Sequence, residues 1–275
     1  MLTVLTGLLA SLSYASSDMF SQRVTRETRP LTQMVWVLVT GVVIVLPVAL
    51  LVRGLPHAGE WQGAGLAALA GALYFGALFC LLHGLQIGDL GLISALTSLQ
   101  GAYVAVTVIA LGVPVTPAIA IALVLCAVGA LLTSFEGRAK STNGALWAVI
   151  AGVLFAGVML CYAYGDIDWL SQAAISRTVS LLIVLPVALL TGGIAVPKAM
   201  RVRAIGAGVL ELGGVLLLTI AFAIGPPTVA GVTTTQFGTF AVILGFVLLH
   251  ERPKPNQWVG IVCTLAGVSL LAAVV

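Results

Sequence analysis

Apolar stretches separated by short polar breaks run the length of the chain. They fall at 2–20, 31–52, 62–86, 90–111 and 116–134, then at 144–164, 170–191, 204–224, 228–249 and 257–275. Each is near the ~20 residues a helix needs to cross the hydrocarbon core. The pattern predicts ten transmembrane helices, five on either side of a polar linker at 135–143 that holds Glu136, Arg138 and Lys140. The first stretch has no basic segment ahead of it, so it reads as a retained span and not as a signal peptide. Pro47 in the second span and Pro186 in the seventh each remove a backbone bond and are expected to kink their helices.

The octet Ile44-Val45-Leu46-Pro47-Val48-Ala49-Leu50-Leu51 recurs about half a chain later as Ile183-Val184-Leu185-Pro186-Val187-Ala188-Leu189-Leu190. The same displacement, give or take a loop residue, carries Tyr14-Ala15 onto Phe155-Ala156, Gly88 onto Gly225 and Thr97 onto Thr234. It also carries Gly101 onto Gly238 and Gly129 onto Gly267. One unit is written twice, as residues 1–134 and 144–275. An odd number of spans per unit forces the second copy into the bilayer upside down. The expected fold is therefore an all-α integral membrane protein of ten transmembrane helices in two inverted five-helix repeats. Inverted repeats are a recurrent transporter architecture, with the substrate site between them near the midplane.

Composition agrees. Hydrophobic residues make up 60% of the chain and charged residues 8%, against ~25% charged in a soluble domain. Such a chain cannot cover a water-facing surface, so lipid is its solvent. The 31 glycines fit helices that pack closely through small residues. A net charge of +3, with no basic run interleaved with aromatics, gives no footprint for nucleic acid. The loops after spans one, five, seven and nine hold Arg23, Arg26, Arg29, Arg138, Lys140, Lys198, Arg201, Arg203, Arg252 and Lys254, while the opposite side holds only Arg53. The excess of loop cations marks the cytoplasmic side, which would put both termini outside.

Little conventional catalytic chemistry is written here. Cys80, Cys126, Cys161 and Cys263 are isolated, no His cluster accompanies them, and no Walker-type loop appears. The expectation is no enzyme, no cofactor and no metal. Polar groups inside spans are expensive and by default functional. Glu211, mid-way along the eighth span, is the strongest candidate, and its repeat partner is Tyr74. Glu211 either faces a central cavity or is a carboxyl hydrogen-bonded to a neighbouring helix. The patch Thr97-Ser98-Leu99-Gln100 in the fourth span has its counterpart in Thr234-Thr235-Gln236-Phe237 of the ninth, each followed by a matched glycine, with Gln100 and Gln236 the leading candidates. These are candidate facing walls of one site, although such hydroxyls also bond their own backbone readily. Tyr14 and Asp18 share a helical face with Ser11. Asp18 either lines an entrance or sits solvated at the headgroups, paired with Arg23. Arg177, two turns into the seventh span, either snorkels or pairs with a carboxylate or substrate inside. Tyr103 is a candidate aromatic wall.

The C-terminal part carries a resemblance. His250-Glu251-Arg252 ends the ninth span, Gln257, Gly260 and Gly267 follow along the tenth, and Ser16-Ser17-Asp18-Met19-Phe20 closes the first. This resembles the drug/metabolite transporter superfamily, specifically the EamA-type ten-helix carriers. The resemblance implies a secondary transporter of a small organic metabolite (an amino acid, amine or related solute), working as an exporter by alternating access. It implies a cavity lined by spans one, three, four, six, eight and nine, with spans five and ten peripheral and available for packing or a homodimer. A lipid flippase-like or non-transporting membrane subunit of the same superfamily is the alternative. The chain departs from the family in having Gln100-Gly101 and Phe237-Gly238 where a mid-helix proline is usual, and Val113-Pro114 in place of the first Glu-Arg step. Family members generally keep both termini in the cytoplasm, opposite to the cation count.

Overall fold

In hydrocarbon the backbone finds no solvent partner, so each span closes its hydrogen bonds internally as a helix. The computed structural model describes residues 1–88, 93, 96–112, 115–134, 144–191, 193–249 and 254–274. The linker 135–143, the Val113-Pro114 pair and the His250-Glu251-Arg252 step lie outside the described residues.

The first repeat supplies α1 (Leu2–Glu27), α2 (Pro30–Val52), α3 (Trp61–Ile87), α4 (Gln100–Ala110) and α5 (Pro117–Ser134), with a single 3-10 turn at Ala58–Glu60 before α3. The second supplies α6 (Ala145–Tyr164), α7 (Trp169–Leu190), α8 (Lys198–Ile224), α9 (Pro227–Thr233), α10 (Phe237–Leu249) and α11 (Pro255–Val274). Pro30 opens α2 at its first position, where its missing N–H costs nothing. Asp168 caps α7, accepting from the backbone N–H of Leu170 at 2.9 Å. Pro47 and Pro186 lie inside α2 and α7, and both helices continue past them. Helices α2, α3, α6, α7 and α8 are long and apolar enough to cross a membrane, by length and composition.

Two boundaries differ from the sequence pattern. Helix α1 runs on to Glu27 and α8 begins at Lys198. Loop cations expected outside the helices therefore ride on their ends. The ninth span is also not continuous, because α9 and α10 are separated by a turn at 234–236. The Thr234 hydroxyl donates to the carbonyls of Ala230 and Gly231, the Thr235 hydroxyl to that of Val232, and the Gln236 amide also to Val232 at 3.0 Å. Backbone N–H groups reach the same carbonyls, Thr234 N–H that of Ala230 at 3.0 Å and Thr235 N–H that of Val232 at 3.3 Å. The fourth span has its own turn at Leu99, the repeat partner of Gln236.

The halves interleave. Helix α1 packs on α8, α3 on α6, α2 on α7, α4 on α9, and α5 on α11, so each main pairing joins one repeat to the other. Exchanging the halves maps this set of pairings onto itself. Repeat partners α2 and α7 run antiparallel, because the start of α2 meets the end of α7 and the reverse. Arg29 donates to the Thr191 carbonyl at 2.7 Å, and Arg53 lies 3.4 Å from Asp168. That antiparallel clasp is the inversion. Likewise Gly225, after α8, lies against Thr3 of α1, and Gly144, before α6, lies against Gly84 of α3.

Small residues set the spacing. A Cβ on Gly71 would meet Val179 of α7 at 2.9 Å, and a Cβ on its repeat partner Gly208 would meet Thr40 of α2 at 2.7 Å. Backbone approaches backbone between α5 and α11, where a Cβ on Gly260 would lie 2.7 Å from the Gly129 carbonyl oxygen. Serines of α1 add polar ties. Ser13 donates to the Leu210 carbonyl at 2.6 Å and Ser17 to that of Ala207 at 2.9 Å. Outward faces are apolar, with the repeat partners Leu51 and Leu190 among the most exposed side chains. Gly260→Val is expected to force α5 and α11 apart and to destabilise the protein by about 2 kcal/mol. A lower unfolding midpoint in detergent would register this, and an unchanged midpoint would refute the close-contact assignment.

Candidate functional site

Helix α3 carries Tyr74, Leu78 and Leu81 on one face, and α8 carries their repeat partners Glu211, Val215 and Leu218 at the same spacing. Tyr14 and Asp18 of α1 and their partners Phe155 and Met159 of α6 lie on the same space. Gln100 at the start of α4 and its partner Phe237 at the start of α10 complete six repeat-related pairs around one cavity. Thr97, Val158 and Tyr162 also line it. Its volume is about 60 Å³, several times the ~10–15 Å³ that one water needs.

The pseudo-symmetry of the wall is geometric and not chemical. Tyr14 faces its space where Phe155 does in the other half, Asp18 where Met159 does, and Gln100 where Phe237 does. Polarity is therefore gathered on α1, the fourth span and α8, and the opposite wall of α3 and α6 is largely apolar.

At the axis the two repeat partners touch. The Tyr74 hydroxyl, 137 residues before Glu211, donates to Glu211 Oε1. Arg177 of α7 donates through Nη2 to the same oxygen. The Arg177 guanidinium carbon also sits 4.1 Å from the Tyr74 ring centroid, a cation–π contact. The Arg177 and Glu211 side chains are 1% and 7% exposed. Arg177 does not snorkel but is a buried partner of the carboxylate. Beside it, Tyr162 donates to Ser176 at 2.6 Å.

Several buried polar atoms here have no hydrogen-bond partner: Glu211 Oε2, Gln100 Oε1, Thr97 Oγ1, and Arg177 Nε and Nη1. Orphaned polar atoms of this kind are rare in native structures and call for an occupant or ordered water.

Of the sequence-predicted residues, Glu211, Tyr74, Thr97, Gln100, Tyr14 and Asp18 line the cavity, and Arg177 stands behind Glu211. Asp18 is half-buried and has no ion-pair partner within 4 Å among the described residues, so it is not held by Arg23. Thr234 and Thr235 turn to their own backbone, and Thr235 also packs over Gly101. Gln236 points toward α11, where Thr264 donates to its Oε1 at 3.5 Å. Ser98 is buried and Tyr103 half-buried, and neither is on the wall. His83 packs between Phe79 and Trp147. The apolar wall residues Leu78, Leu81, Val158, Met159, Val215 and Leu218 escaped the sequence reading. Stepping one helical turn at a time from Tyr74 and Glu211 would have found four of them.

Removing one member of a buried ion pair leaves an uncompensated charge, at about 3–5 kcal/mol. Arg177→Met is expected to destabilise by that amount, and Arg177→Met with Glu211→Leu to recover much of it. Denaturant unfolding in mild detergent measures both, and additive losses would contradict the pairing.

The EamA-like transporter family matches the chain twice, over residues 1–135 and 142–273, once for each repeat. A solved crystal structure at 14% identity matches with a TM-score of 0.80 and covers 99% of this chain and 99% of its own. At that identity the likeness concerns the fold alone. No curated protein matches the sequence. The chain is a multi-pass, membrane-embedded protein and belongs to the EamA-like transporter family.

Proposed function

We propose that this transporter moves a small organic solute through the cavity between its inverted halves, by alternating access, in the cell membrane. The observation that carries this reading is the contact of the repeat partners Tyr74 and Glu211 inside a cavity walled by both halves. A solute held there touches both copies of the repeat at once. Because the copies are inverted equivalents, an exchange of their conformations moves the opening from one face of the membrane to the other. The present volume, about 60 Å³, is well under the ~300–1,000 Å³ of ligand pockets. On this reading the halves part further to admit a solute. No ATP-binding loop is present in the sequence, so the driving force is a gradient. Export is the direction that the family resemblance implies.

The flippase-like alternative draws on a groove of about 180 Å³ between α2 and α7, lined by Leu46, Leu50, Leu55, Ile175 and Val179 among others. That groove shares no lining residue with the central cavity. An acyl chain resting in it therefore has no continuous polar route for its headgroup, which favours the small-solute reading.

The protein in liposomes should accelerate flux of at least one solute from a pool of small metabolites, read by mass spectrometry. Glu211→Gln should cut that flux by about tenfold or more. Equal flux in wild-type, variant and protein-free liposomes would overturn the proposal. Orientation has a separate test. A reporter enzyme active only outside the cytoplasm, fused after residue 275, is expected to be active, because the cation-rich face belongs inside.

A further inference from the structure

The cavity has an unbalanced charge, and its unmet hydrogen-bonding capacity is mostly of one kind. Glu211 is neutralised by Arg177, and both Tyr74 and Arg177 donate to a single oxygen, Oε1. Its other oxygen, Oε2, is buried with no partner. Asp18 adds a second carboxyl group to the wall with no cation within 4 Å of it among the described residues. Symmetry does not rescue it either, because its repeat partner on the opposite wall is Met159. Counted as ionised groups, Asp18 and Glu211 against Arg177 give the cavity a formal charge of minus one.

The heteroatoms tell the same story. Glu211 Oε2 and Gln100 Oε1 are orphaned acceptors on the wall, and the Asp18 carboxylate is a third acceptor beside them. Thr97 Oγ1 on the wall can donate or accept, and the unpartnered donors Nε and Nη1 belong to Arg177, which is not on the wall. A carboxylate entering this space would find one unpartnered hydroxyl, that of Thr97, and otherwise meet acceptors and the two carboxyl groups. An ammonium brings N–H donors and the missing positive charge together. The remaining surface suits an apolar body, with aromatic faces from Tyr14, Phe155 and Phe237 that also attract a cation.

Resting on the transport reading above, we propose that the solute is a small organic ammonium ion with an apolar body and no carboxylate. Its N–H groups bond the Asp18 carboxylate and Glu211 Oε2, and its body lies against α3 and α6. Asp18 is the residue that selects for charge, and Glu211, held by Arg177 and Tyr74, presents a fixed acceptor.

Three probes of similar size separate the possibilities: benzylammonium, benzyl alcohol and benzoate, titrated against detergent-purified wild-type protein with thermal stabilisation as the readout. Benzylammonium is expected to bind about tenfold or more tighter than benzyl alcohol, and benzoate weakest. Asp18→Asn should erase that preference, and Asp166→Asn, the same charge change in an exposed loop, should preserve it. The wild-type ranking needs no variant to fold. Benzoate as the best stabiliser, an Asp18→Asn protein with the wild-type preference, or no stabilisation by any probe at millimolar concentration would each overturn the ammonium assignment. The liposome flux result is read independently. A carrier that moves only anions or neutral solutes would keep the transport reading and lose this one.

Discussion

A guanidinium and a carboxylate cannot stay ionised in hydrocarbon unless each has a partner. The contact of Arg177 with Glu211 meets that demand deep in the bundle, and Tyr74 completes it with a hydroxyl below and a ring face alongside. The three side chains come from α7, α8 and α3, so two second-repeat helices are tied to one of the first. Glycines 71 and 208 let α7 and α2 close against α3 and α8 on either side of this group. The cavity exists because one face of the carboxylate is left unfilled.

Symmetry and its violation do different work. The backbone repeats, since equivalent helices make equivalent contacts with spacing set by equivalent glycines. The side chains around the cavity do not repeat in character, because Asp18, Gln100 and Glu211 stand where the other copy has Met159, Phe237 and Tyr74. A symmetric frame repeats the helix packing in both halves. Asymmetric lining gives the cavity one more-polar and one more-apolar wall, which a strictly repeated sequence cannot form.

The fold was largely legible because its signals are long-range and redundant. Runs of apolar residues set the spans, and the octet containing Pro47 and Pro186 set the repeat. Displacement by the repeat even placed Tyr74 opposite Glu211. The site was legible in part. A carboxyl in a span announces itself, but a threonine in a span has a local alternative, and Thr234 and Thr235 took it by bonding carbonyls one turn back. Gln236 did the same and turned toward α11. The break in the ninth span at 234–236 is likewise something the hydropathy pattern does not register. Leu78 and Leu218 were invisible for the opposite reason, since a leucine facing a cavity and a leucine facing lipid read alike.

The interleaving of the halves constrains how the protein is made. Helices leave the ribosome in chain order, yet the main partners of α1, α2, α3, α4 and α5 all belong to the later half. The first five spans therefore wait in the bilayer, their future contact faces covered by lipid or by one another, until synthesis is nearly complete. Arg177 then enters before its counter-charge, which follows 34 residues later on the next helix. Neither half can finish its own core, so maturation is a single late docking event and not two sequential ones.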